Sequence, residues 1–185
     1  MTLDWTQELL GQLGWHWEQQ LRRRLDGLTD DEYLWEPAPG SWSLRPRGEA
    51  VSAMAAGGGD LVADFEVPEP YPAPITTIAW RIGHVLVGVL GVRNATHFGG
   101  PPVDYLTKVW PTTATDALAE LDTEYDRWVE GVRGLDAAAL ERPVGPAEGE
   151  YAEHPMAGLV LHINREVIHH GAEIALLRDL YAHRA

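Results

Sequence analysis

The chain has 185 residues, 45% of them hydrophobic, which suits one domain with a sizeable core and leaves little room for a second. Its 28 acidic against 14 basic residues give a net charge of −14, and the only basic cluster is Arg22-Arg23-Arg24, so the positive footprint that direct nucleic-acid binding needs is missing. Cysteine is absent, which excludes disulfides, thiolate metal sites and a cysteine nucleophile and leaves His, Asp and Glu as ligands for any metal.

The first predicted element runs from about Asp4 to Asp26. Trp5, Leu9, Leu13, Trp17, Leu21 and Leu25 recur every four residues and share one helical face. Asp4 with Gln7 resembles a capping box, Gly27 marks the end, and Thr29 is placed to cap a short turn through Glu32. A long irregular connection follows, from Glu36 to Pro74, with the punctuating stretches EPAPG, RPRGEA, AAGGGD and PEPYPAP. Loops of more than about 12–15 residues in a compact domain are usually functional or disordered.

A second helix is predicted from Thr77 to Thr96, apolar nearly all round as expected of a helix in the middle of a bundle. Its run Val85 to Val92 is broken by glycines and flanked by Arg81 and Arg93, well short of the roughly 18 apolar residues that span a bilayer. A third helix covers Thr115 to Val132, with Gly134 as its cap, and a fourth covers Pro155 to Ala182. No alternating apolar–polar run calls for a β-sheet. The expected fold is an all-α four-helix bundle, a single domain over residues 1–185, with the long irregular connection between helices 1 and 2. The opening MTLDWTQELL has no basic region or cleavage site of a secretion signal, so a cytoplasmic location is expected.

The inward stripe of the fourth helix reads Leu159, Ile163, Glu166, His170, Ile174, Leu177, Tyr181. It places Glu166 and His170 among buried aliphatics, one turn apart, with Cβ atoms roughly 5–6 Å from each other. A buried carboxylate needs a partner or a metal. Glu166 therefore either binds an ion with His170, or pairs with His170 or with an arginine such as Arg81. On the second helix, Arg81 and His84 are the only polar side chains between Trp80 and Val92. A metal plus an outer acceptor would satisfy both nitrogens of His84. His84, Glu166 and His170 make two imidazoles and one carboxylate, a set that leaves positions open for water or substrate. His162, a turn before Glu166, is either a fourth ligand or a neighbour of the ligands, and His169 is an outer neighbour. His97 is a minor candidate for the site entrance, while His16, His154 and His183 read as surface residues. Arg45 or Arg47 either meets a substrate carboxylate or is solvated, and Trp35 and Trp42 read as packing anchors for the long connection.

Three stretches carry a resemblance: LDGLTDDEYLWEPAPGSWSLRPR (Leu25 to Arg47), TTIAWRIGHVLVGVLGVRNATHFGGP (Thr76 to Pro101) and HINREVIHHGAEIALLRDLY (His162 to Tyr181). They resemble the DinB-like superfamily over nearly the whole chain, the third stretch most specifically. The superfamily includes thiol-dependent maleylpyruvate isomerases, DNA-damage-inducible DinB proteins and many members of unknown function. The resemblance implies a four-helix bundle with one divalent metal, held by three histidines or by His-Glu-His. His84 matches the ligand of the second helix, and Glu166 and His170 match the two ligands of the last, in the glutamate variant of the mycothiol-associated branch. Zn²⁺ is the first expectation, with Ni²⁺ or Fe²⁺ as alternatives.

The resemblance also implies a low-molecular-weight thiol, mycothiol or bacillithiol in type, as co-substrate of a transferase or isomerase. A bound cation lowers the pKa of a coordinated thiol, so a cysteine-free protein can use a supplied one. No residue outside the ligand set is an obvious general acid or base; Arg81, Tyr105, Arg165 and His97 are the candidates. The competing expectations are a non-catalytic, metal-stabilised bundle that binds a small ligand or partner, and a metal-dependent hydrolase. A homodimer paired through an apolar helix face is a further expectation.

Overall fold

The computed structural model describes residues 3–184, mostly helical with one small sheet. Helix α1 (Trp5–His16) starts where the Asp4 carboxylate accepts from the Gln7 amide at 3.2 Å. It continues through a π-helical turn, Trp17–Leu21, and a 3₁₀ turn, Arg22–Leu25, and ends at Gly27, whose φ of 73° is the left-handed conformation that favours glycine. Leu9, Leu13, Trp17, Leu21 and Leu25 are buried as the four-residue spacing predicts. Trp5 is not. It stays 60% exposed at the helix start, and Thr6 turns inward instead. The short α2 (Asp30–Tyr33) is capped by Thr29, as expected.

The connection that follows is not all irregular. It folds as a three-stranded antiparallel sheet in the order β1-β3-β2, formed by β1 (Leu44–Pro46), β2 (Met54–Ala56) and β3 (Leu61–Phe65). The all-α expectation is corrected here. Two strands have three residues and the third has five, too short for a period of two to stand out. The middle of β3, Val62-Ala63-Asp64, is buried on both faces and so lacks alternation altogether.

The fully buried Asp64 carboxylate organises this region. It accepts from the amides of Ser43 (2.9 Å), Val51 (2.8 Å) and Ser52 (3.3 Å), from the Ser52 hydroxyl (3.1 Å) and from Arg45 Nε (3.0 Å). Arg45 also meets Glu36 at 2.8 Å and is therefore part of the fold, neither solvated nor free for a substrate. Trp42 is buried near Trp80, and Trp35 packs edge-on against Tyr181, which makes both of them packing anchors.

Trp42 exchanges backbone hydrogen bonds with Ile75 and Thr77, which ties the connection to the start of the next helix. Helix α3 (Ile78–His84), capped by the Thr77 hydroxyl, passes into π-helical turns, Val85–Gly91, and then into α4 (Val92–His97). Helix α5 (Ala114–Arg133) is capped by Thr113 and stopped at Gly134. The short α6 (Ala137–Glu141) and a 3₁₀ turn, Pro146–Tyr151, lead to α7 (Met156–Ala182). The four long helical stretches share one core, with Leu13, Ile82, Leu90, Leu121, Trp128, Ile163 and Ile174 almost fully buried. Among the described residues, no helix is long and apolar enough to cross a membrane.

Candidate metal centre

His84 is the last residue of α3, immediately before the π-helical turns. Such turns widen a helix locally and often accompany functional sites. Its ring is parallel to Trp80 at 5.6 Å, and its Nδ1 lies 2.8 Å from the Tyr105 hydroxyl. Gly88 makes room for this contact: a Cβ there would collide with the Tyr105 hydroxyl and sit 3.2 Å from the His84 ring. Burial lowers the His84 pKa to about 4, helped by the charges of His170 and Arg81 and opposed by Glu166 and Glu173. The imidazole is thus neutral at ordinary pH, the form in which histidine binds metals.

His170 approaches from α7, its ring edge-on to His84 at a centroid separation of 4.7 Å. Its Nδ1 lies 2.7 Å from Glu173 Oε2. A carboxylate only accepts, so Nδ1 carries the proton and the lone pair is on Nε2. Arg81 Nη1 stands 3.5 Å from the same Nδ1, but the shorter carboxylate contact decides the tautomer. Arg81 Nε is 3.1 Å from Glu173 Oε2, close enough to neutralise it though not aligned as a hydrogen bond. Burial lowers the pKa of His170, against the opposing hydrogen bond that it donates to Glu173.

Glu166, one turn before His170, points Oε2 to within 3.6 Å of His170 Nε2. Its Oε1 lies 3.6 Å from His162 Nδ1 and 3.4 Å from Arg165 Nε. The partner of Arg81 is therefore Glu173, and not Glu166. His84 and Glu166 each approach His170 between α3 and α7, His84 by its ring and Glu166 through Oε2, with the two Nδ1 atoms engaged and His170 Nε2 facing a carboxylate. This donor set fits a divalent cation, because it offers neutral imidazole nitrogen and anionic oxygen with outer hydrogen bonds on the ligands.

A second group lies beside it. Among the described residues, the group whose ligand atoms all come within 4.8 Å of one another is His169, His170 and Glu173, which could hold a metal ion; His84, Glu166 and His170 do not gather so closely. Glu173 stands off the buried aliphatic stripe, so the apolar period does not mark it; the spacing His169-His170-x-x-Glu173 is its only signal in the sequence. His162 contacts Arg165 and Glu166, whereas His97 is buried against Glu148 at 2.9 Å. His154 and His183 are exposed as expected, but His16 is buried: the missing side chain of Gly171 admits its ring against α7.

The family model of the DinB superfamily matches residues 61–174. This span is more than half of the chain and contains every residue of both candidate groups. The chain belongs to the DinB superfamily. The match starts at β3 and stops within α7, so the similar stretch at Leu25 to Arg47 lies outside it. The superfamily is metal-binding in general, which agrees with a cluster of histidine and glutamate at this place. Neither curated proteins nor solved structures give a match.

Proposed function

We propose that this DinB-superfamily protein is a single-domain, four-helix-bundle metalloprotein whose divalent ion is held by His84, Glu166 and His170. We propose further that it serves a low-molecular-weight-thiol-dependent transfer or isomerisation. The observation that carries the ligand set is the hydrogen bond from His170 Nδ1 to Glu173, which turns the free Nε2 toward Glu166. On His84 the Tyr105 hydroxyl engages Nδ1, which leaves Nε2 as the atom to meet an ion.

A divalent cation bound there, Zn²⁺ foremost, would hold a thiol or water in its deprotonated form near neutral pH. Tyr105 and Glu173 fix the two rings, Arg81 balances the charge of Glu173, and Trp80 covers the flat side of His84. Glu166 is half-buried and next to Arg165 and His162, so it links the centre to groups that a substrate can reach.

A second ligand set, His169, His170 and Glu173, is favoured by the closeness of its atoms. Against it, Arg81 already brings a positive charge to Glu173, and the ion would have to replace the 2.7 Å bond that orients His170. Metal content by inductively coupled plasma mass spectrometry separates the two. About one equivalent in the wild type, lost in His84→Ala and Glu166→Ala but retained in His169→Ala, supports the first set; loss in His169→Ala with retention in Glu166→Ala supports the second. With Co²⁺ in the site, titration with N-acetylcysteine should shift the visible spectrum. An unchanged spectrum would remove the thiol from the proposal.

A further inference from the structure

Next to Glu166 lies a cavity of about 310 Å³, bounded by α4, by the Pro146–Tyr151 turn and by the start of α7. A larger recess, about 480 Å³, is lined by Leu86, Pro102, Lys108 and Glu120; neither is lined by the proposed ligands, but the smaller one holds two neighbours of Glu166, namely His162 and Arg165. The smaller one has an unusual balance of donors over acceptors. Its one carboxylate, Glu148, is engaged on both oxygens: Arg93 Nη2 lies 3.2 Å from Oε2, and His97 Nε2 lies 2.9 Å from Oε1. Arg93 is further fixed by donating to the Gly88 carbonyl at 2.8 Å.

Arg165 is exposed and places Nη2 2.6 Å from His162 Nδ1. A guanidinium only donates, so Nδ1 accepts and the neutral His162 ring carries its proton on Nε2. Arg165 also donates from Nε and Nη2 to Glu166 Oε1, so the lining offers its remaining N–H groups, the imidazoles of His162 and His154 and the Tyr151 hydroxyl, with Leu159 as apolar wall and no carboxylate of the lining left free. This stands out in a chain of net charge −14.

We infer that this cavity is an anion subsite that seats the carboxylate of a small organic acid. Its relevance to chemistry rests on the metal centre proposed above, to which Glu166 links it: Oε1 faces Arg165 and His162, and Oε2 faces His170. A planar guanidinium pairs with two oxygens of a carboxylate or of a phosphate, so the phosphate titration decides between the two.

Isothermal titration calorimetry with benzoate, with the neutral isostere benzamide and with inorganic phosphate tests this on wild type, EDTA-stripped wild type, Arg165→Gln and His162→Gln. Both substitutions are at accessible positions, and far-UV circular dichroism confirms that the variants are folded. Benzoate should bind wild type with and without EDTA alike, and about tenfold or more weakly once Arg165 is replaced, as the loss of a charge-assisted hydrogen bond implies. Benzamide and phosphate should bind at least about tenfold more weakly than benzoate. Phosphate binding more tightly than benzoate would reassign the subsite and overturn the carboxylate inference. So would benzoate binding that is absent, indifferent to both substitutions, matched by benzamide, or abolished by EDTA alone. Should the metal assays fail while the benzoate pattern holds, the subsite stands and only its link to the centre falls.

Discussion

Gly88 and Tyr105 show how a small residue can position a histidine of the proposed metal centre. Glycine inside a helix usually costs about 0.5–1 kcal/mol relative to alanine. Its presence here is accounted for by the Tyr105 hydroxyl, which occupies the space a methyl group would take and reaches His84 Nδ1 at 2.8 Å. Gly88→Ala should therefore displace Tyr105 and release the His84 ring, with the outcome of Tyr105→Phe by a different route. Outer partners of metal-bound histidines are typically worth about 10–100-fold in affinity. Both variants should lose Zn²⁺ affinity in that range in competition against a chromophoric chelator. Wild-type affinity in both would mean that Tyr105 does not orient a ligand.

Among the elements, the three-stranded sheet departs furthest from what the sequence disclosed. Helix boundaries are local where caps exist: Asp4, Thr77 and Thr113 each accept a backbone hydrogen bond three residues on at the starts of three of the four long stretches, and Gly27 and Gly134 follow the ends of two, whereas α7 begins after Pro155 with no side-chain cap. The inward stripe of α7 was legible for the same reason, since a period of 3.6 over 27 residues is a strong pattern. The sheet depends instead on one buried carboxylate that gathers partners 12 to 21 residues away, and no local period records that. Nor does any local pattern reveal that His16 is buried against Gly171, or that Arg81 serves Glu173. Both follow from how α1 and α3 pack against α7. Asp64→Ala should be severe, because it strips Arg45 of its buried partner and leaves three amides unpaired. Breaking a buried ion pair from one side costs about 3–5 kcal/mol. Urea denaturation followed by tryptophan fluorescence measures this, and a loss below about 1 kcal/mol would show that the sheet does not depend on Asp64.

For the molecule as a whole, the excess of negative charge and the buried tyrosines together set an alkaline limit on stability. Tyr125 is buried, stacked on Trp17 at 3.8 Å with the planes 3° apart. Burial, with the charges of Glu18 and Asp126, pushes its pKa up to about 12. Burial raises that of Tyr33 as well, and its hydroxyl has no hydrogen-bond partner among the described residues. In the unfolded chain both phenols would ionise near the ordinary value of about 10. A folded pKa above the unfolded one means that the folded state holds its proton longer. The stability due to burying the neutral phenols is present in full below about pH 10, and it is lost as pH rises through about 12. Each proton lost also adds to a net charge that is already −14, so self-repulsion acts in the same direction. The melting temperature should fall steeply between about pH 10 and 12. Over that interval the phenolate absorbance at 295 nm should rise together with the loss of helical signal rather than ahead of it. Tyr125→Phe should flatten the slope while leaving the neutral-pH fold intact. Phenolate absorbance that develops fully near pH 10 with the helical signal unchanged would show that these rings ionise in place, and that burial does not hold their protons.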